Sequence, residues 1–78
     1  MSVSNSNRIS VRVNGKPKQV KEPISLSELL DEFQIRSDTV VLELNRQVVR
    51  KETYHSIYLC EGDSLEIVHF VGGGAGPE

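Results

Sequence analysis

A single helix start governs what this chain can become. Ser25-Leu26-Ser27-Glu28 has the form of a capping box, with Ser25 as N-cap and Glu28 at the third helical position. Ile24 and Leu29 fall on either side of that cap, at the two positions of a hydrophobic staple. Leu26, Leu29, Leu30 and Phe33 then recur at i, i+3, i+4 and i+7, which makes one apolar stripe. Glu28, Asp31 and Glu32 fall toward other faces, and acids near a helix start suit the positive end of its dipole. The pattern predicts a helix of about ten residues that ends near Gln34. One amphipathic helix in 78 residues has to bury its stripe against something, and the rest of the sequence offers strands.

Before the helix, Ile9, Val11 and Val13 alternate with Ser10 and Arg12, the period of a strand with one apolar face. Asn14-Gly15 is a two-residue hairpin signal, because both central positions of a type I′ turn need positive φ. A return strand follows over about Lys18 to Lys21, and Pro17, which has no N–H, belongs at a sheet edge or at the exit of the turn. After the helix, Thr39 to Leu44 is β-branched and nearly all apolar at first, so it is expected in the centre of a sheet or buried on both faces near its start. Asn45-Arg46-Gln47 turns the chain and Val48-Val49 return briefly. Lys51 to Ser56 is polar, a loop or a single helical turn; Ile57 to Cys60 is a short extended piece; Glu61-Gly62-Asp63 is a turn. The last strand runs from Ser64 to Val71. The fold class that follows is α+β: a mixed sheet of about four to five strands with the helix packed across one face, and the first and last strands side by side at its centre.

Length and composition narrow the function. One domain is expected over residues 8–71, after a Ser/Asn-rich start (1–7) read as disordered and before a flexible glycine-rich tail (72–78). A core of this size leaves little room for a deep catalytic pocket. The net charge of -2 and the scatter of Arg and Lys along the chain give no basic stripe, so nucleic acid is not an expected partner. No apolar run approaches the roughly 20 residues that span a bilayer, and no apolar signal core stands at the start, so no membrane partner is expected and the expected home is the cytoplasm. Cys60 is alone, which excludes an internal disulfide, and is expected as a small buried residue. His55 and His69 have no partners at metal-ligand spacing, so no metal is expected. Asp63 reads as turn chemistry, and Tyr54 and Tyr58 as packing residues, with Tyr58 toward the rim. No nucleophile–base pair is legible, so no residue is expected to be catalytic. The three glycines precede no helix, so a dinucleotide fingerprint fails and no bound cofactor is expected.

The tail carries the functional signal. Ile67-Val68-His69-Phe70-Val71 runs straight into Gly72-Gly73-Gly74, with Ala75-Gly76-Pro77-Glu78 after it. Residues without a Cβ form a thin thread that another protein's narrow channel can accept. Three glycines reach about 10 Å, enough to insert an end while the body stays outside. Val68, Phe70 and Val71 are a candidate docking patch beside that thread; the strand is apolar on both faces here, so alternation does not say which side chain points inward.

Taken together, several stretches resemble the ThiS-like family of ubiquitin-like sulfur carriers in thiamin biosynthesis. They are Val13-Asn14-Gly15-Lys16, Leu29-Leu30, Val41-Leu42-Glu43-Leu44-Asn45-Arg46, Val48-Val49, Tyr54-His55, Leu59-Cys60-Glu61-Gly62-Asp63 and Leu65 through Gly74. The resemblance implies a β-grasp fold and a carrier that is a substrate, not an enzyme. A ThiF-like, E1-like adenylyltransferase would use ATP to activate a terminal glycine carboxylate, Gly74 or Gly73. A sulfur-donor system would convert it to a thiocarboxylate, and a ThiG-like thiazole synthase would take the sulfur. Family members end at the glycines, whereas Ala75-Gly76-Pro77-Glu78 follows here, so removal of that segment by a processing protease is expected, with Gly74 the favoured new end. Two alternatives stay open from sequence: a carrier for molybdopterin, cysteine or another sulfur metabolite, and a ubiquitin-like modifier or interaction module.

Overall fold

A computed structural model of the chain describes residues 7–70. Its elements are β1 (Arg8–Val13), β2 (Lys16–Lys21), α1 (Leu26–Glu32), a 3-10 turn (Ser37–Thr39), β3 (Val40–Leu44), β4 (Gln47–Val49), a second 3-10 turn (Lys51–Thr53) and β5 (Ser64–His69). The five strands form one sheet in the order β2-β1-β5-β3-β4. Only β1 and β5 are parallel; the other neighbours are antiparallel. The expected mixed sheet with first and last strands adjacent at its centre is what forms, with β2, the strand of Pro17, at an edge.

The helix begins as its cap dictates. Ser25 Oγ accepts from the Glu28 N–H at 3.1 Å and Glu28 Oε1 accepts from the Ser25 N–H at 2.9 Å. Ile24 and Leu29, at the staple positions, are both buried, and Leu26, Leu29 and Leu30 have almost no exposed surface. These leucines pack with Ile9 and Val11 of β1, Val20 of β2, Val40 and Leu42 of β3, and Leu65 and Ile67 of β5 in one cluster. Tyr54 and Leu59 close it from the segment before β5. Lys18 lays its ammonium over the ring of Phe33, the aromatic at the end of the stripe, 5.2 Å from the centroid.

Several boundaries move. The helix stops at Glu32, two residues before the expected end, because Gln34 takes a positive φ of 59°. β2 starts at Lys16, since the two-residue turn lets Val13 pair directly with Lys16. β3 is not buried on both faces: Val40 and Leu42 are buried while Val41 between them is half-exposed, because the helix covers only one side of the sheet. Phe70 falls just outside β5. The expectations for residues 1–6 and 71–78, the glycine tail among them, lie outside the described residues.

Candidate functional site

β5 delivers the chain to the candidate site, and its alternation resolves which side chains face outward. Leu65 and Ile67 point into the core, while Val68 and Phe70 are each 46% exposed on the opposite face. Val41 of β3 lies directly across from Val68 and is half-buried, so it joins the same outer patch. The sequence reading missed Val41 because its apolar neighbours suggested burial on both faces. Of the expected docking residues, Val68 and Phe70 thus share one face; Val71 lies outside the described residues, as do Gly72, Gly73 and Gly74. Next to the apolar patch, Glu43 and Glu66 sit opposite each other on β3 and β5. Like charges in such a pair weaken the sheet slightly, and Arg46 lines the same shallow depression as the two glutamates.

Three side chains far apart in sequence hold β5 in place. Asn14, at the tip of the first hairpin with φ of 53°, accepts the Ile67 N–H on Oδ1 at 2.7 Å. That bond adds one rung to the parallel β1–β5 ladder after β1 itself has turned away. At the other end of β5, Asn45 donates through Nδ2 to Asp63 Oδ1 at 3.1 Å, and its Oδ1 accepts the Ser64 N–H at 3.0 Å. Asp63 also takes the Cys60 N–H on Oδ2 at 2.8 Å. The Asn-Arg turn and the Asp before the last strand are therefore one structural unit. Asp63 has the expected turn role.

Cys60 departs from expectation: it is exposed, not buried. In the extended piece before it, Leu59 takes the inward position at 3% exposure, so strand alternation turns Cys60 outward. His55 and His69 are exposed on the surface, Tyr54 is buried with its hydroxyl accepting the Leu42 N–H, and Tyr58 lies half-exposed at the rim. Among the described residues no group of three or more His, Cys, Asp or Glu side chains could hold a metal ion, and no helix is long and apolar enough to cross a membrane. Among the described residues the candidate site is the outer patch of Val41, Val68 and Phe70 at the end of β5.

A sequence model described as the ThiS family matches residues 11–74, most of the chain. The chain belongs to the ThiS family. It is 42% identical over 65 residues to the sulfur carrier protein ThiS of Bacillus subtilis, covering 82% of this chain and 98% of that one. The crystal structure of a thiamine biosynthesis protein (ThiS) from Geobacter metallireducens superposes with a TM-score of 0.74 at 33% identity, over 85% of this chain and all of that one. The fold of this ThiS-family chain is accordingly the ubiquitin-like β-grasp. A Magnetococcus marinus protein named thiazole synthase is 35% identical over 69 residues, which span 88% of this chain and 21% of its own length. A ThiS-like stretch thus occurs inside a longer protein with that name.

Proposed function

We propose that this chain is a sulfur carrier for thiazole formation in thiamin biosynthesis, acting as a substrate and sulfur donor for partner enzymes in the cytoplasm. The observation that carries the reading is the family match running from Val11 through Gly74, so that the matched region closes on the three glycines directly behind β5. The ThiS of Bacillus subtilis supports the carrier role, and the thiazole synthase that contains a ThiS-like stretch supports a ThiG-like receiver of the sulfur.

The chemistry follows from what a carboxylate lacks. It is a poor electrophile, so one of its oxygens attacks the α-phosphorus of ATP on an E1-like enzyme and pyrophosphate leaves. The resulting acyl adenylate is open to hydrosulfide supplied by a donor system, whose sulfur bonds to the carbonyl carbon as AMP leaves and whose proton is lost, giving a thiocarboxylate. Glycine suits both steps because no side chain crowds the carbonyl carbon. Ordering the three glycines costs roughly 1–2 kcal/mol each, so contacts to the body have to offset it, and the Val41, Val68 and Phe70 patch is placed to supply them.

Ala75 follows Gly74 in this chain. A Gly74 carboxylate therefore requires hydrolysis of the Gly74–Ala75 peptide bond by a protease. The test is intact mass of the protein isolated from its native cells, together with pyrophosphate release by the E1-like enzyme on chains that end at Gly74 or at Glu78. The expected native species ends at Gly74 with sulfur in place of one carboxylate oxygen, and only the Gly74 form releases pyrophosphate. Sulfur on a species ending at Glu78 rules out trimming. Isopeptide conjugates without any thiocarboxylate rule out the carrier role.

A further inference from the structure

The first hairpin stops short of the strand that it supports. β1 pairs with β5 only at Arg12–Ser64 and Val13–Leu65. The chain then turns at Asn14-Gly15 and runs back as β2 on the far side of β1. β5 continues to His69, and on its other flank β3 stays with it as far as the Val40–His69 pair. The backbone groups of β5 that face the β1 side therefore lose their neighbour beyond Leu65.

Strand alternation says which groups these are. The Phe70 N–H donates to Thr39 O, so Glu66, Val68 and Phe70 direct their backbone groups toward β3, and Ile67 and His69 direct theirs to the uncovered side. Asn14 Oδ1 takes the Ile67 N–H. Among the described residues, the Ile67 carbonyl and the N–H and carbonyl of His69 make no hydrogen bond. Among the described residues the hairpin tip is open: a Cβ on Gly15 would meet nothing within 4 Å, and His69 is exposed.

We propose that this half-open edge of β5, from Ile67 to His69, receives an extended backbone segment of the protein that takes the C-terminal tail, so that a short partner strand pairs beside the hairpin tip. The inference rests on the sulfur-carrier reading. A carbonyl, an N–H and a second carbonyl at strand spacing match another strand's backbone, not a small ligand or an ion. The tail settles whose strand it is. Gly72 follows His69 within about 10 Å of chain, so a protein that holds Gly72 to Gly74 is brought within reach of this edge. Val68 and Phe70, half-exposed on the adjoining face, offer the same segment's side chains an apolar surface. Because backbone supplies the bonds, the partner segment needs extended shape more than a particular sequence.

The test is a proline. His69→Pro deletes an N–H that bonds nothing among the described residues, and Val68 before it is already extended, as a residue preceding proline has to be. His69→Ala removes the imidazole and keeps the N–H. The chain, both full-length and ended at Gly74, is titrated with the thiazole synthase encoded in the same genome. His69→Pro is expected to bind about tenfold more weakly, the loss of one interface hydrogen bond, and His69→Ala within about twofold of the parent. The His69 amide is expected to exchange in the free chain and to become protected in the complex. That measurement decides the matter even if the proline variant fails to fold. Equal binding by His69→Pro overturns the proposal, and so does an equal loss with His69→Ala, which would make the side chain the contact. Protection of the amide in the free chain also overturns it, since the tail or a second copy would then occupy the edge. If the parent chain does not bind in either form, it is the carrier reading for this partner that fails.

Discussion

Asn14 does two jobs that only one residue type combines well. Its positive φ lets the hairpin turn in two residues, a conformation that Asn tolerates better than most side chains. Its carboxamide then caps the Ile67 N–H, 53 positions away in sequence. Replacing Asn14 with Ala loses both features and is expected to lower unfolding free energy by about 2–3 kcal/mol, from an unpaired part-buried donor plus left-handed strain. Asn14→Gly keeps the turn and loses only the bond, so about 1–2 kcal/mol is expected. Urea titrations compare the two; equal losses would mean that the backbone conformation plays no part. The turn was legible, because Asn-Gly is a local signal. The capping bond was not, because nothing in a sequence says what a turn side chain will meet across a sheet. Cys60 went the other way: the habit of cysteines to be buried outweighed the alternation of its own neighbours, and Leu59 held the inward place.

The helix shows how local rules compete. Its start was fully legible, since a capping box needs only side chains within one turn. Its end was placed two residues late, because Gln34 carries no stop signal of the kind that Gly provides. The structure nonetheless ends α1 in a Schellman arrangement: the Gln34 N–H donates to Asp31 O at 3.0 Å and the Ile35 N–H to Leu30 O at 2.9 Å. Gln34 holds the left-handed position at a steric cost that glycine avoids. Gln34→Gly is therefore expected to stabilise the fold by about 0.5–1 kcal/mol, read as a higher denaturant midpoint. Destabilisation would show that the side chain has a role of its own. The two 3-10 turns share another device. In Arg36-Ser37-Asp38-Thr39 and Arg50-Lys51-Glu52-Thr53, the threonine hydroxyl donates to the arginine carbonyl at 2.7 Å and the acid pairs with the guanidinium. The hydrogen bond from Arg36 holds the Asp38 carboxyl below its ordinary range. For Glu52 the larger cause is a hydrogen bond from its own backbone, with Arg50 second. The repeat stands in the sequence as two similar tetrapeptides; the second lies in the polar stretch Lys51 to Ser56, expected as a loop or a single helical turn, and a single 3-10 turn is what forms.

At the scale of the whole molecule, stability and function occupy different parts of the chain. Among the described residues every buried apolar residue lies between Ile9 and Ile67, and Gly72 to Gly74 come later in the sequence. A chain ended at Val71 is therefore expected to unfold with the same free energy as the full chain, within the roughly 0.5 kcal/mol typical of surface changes, while losing all capacity to be adenylated. A large loss of stability on truncation would mean that the tail belongs to the core. The architecture was legible as a whole because one helix and several one-faced strands allow few arrangements, and because the leucine stripe had only one place to go. The position of the outer patch was not, since Ile67 to Val71 is apolar on both faces and only the pairing with β3 decides its phase. The same placement of β5 has a mechanical side. A partner that draws the tail into a cleft pulls along the axis of a strand that β3 flanks as far as His69 and β1 flanks at Ser64 and Leu65. Hydrogen bonds that lie across the direction of pull share the load together and do not peel one after another, so the carrier can be tugged by its end and stay folded.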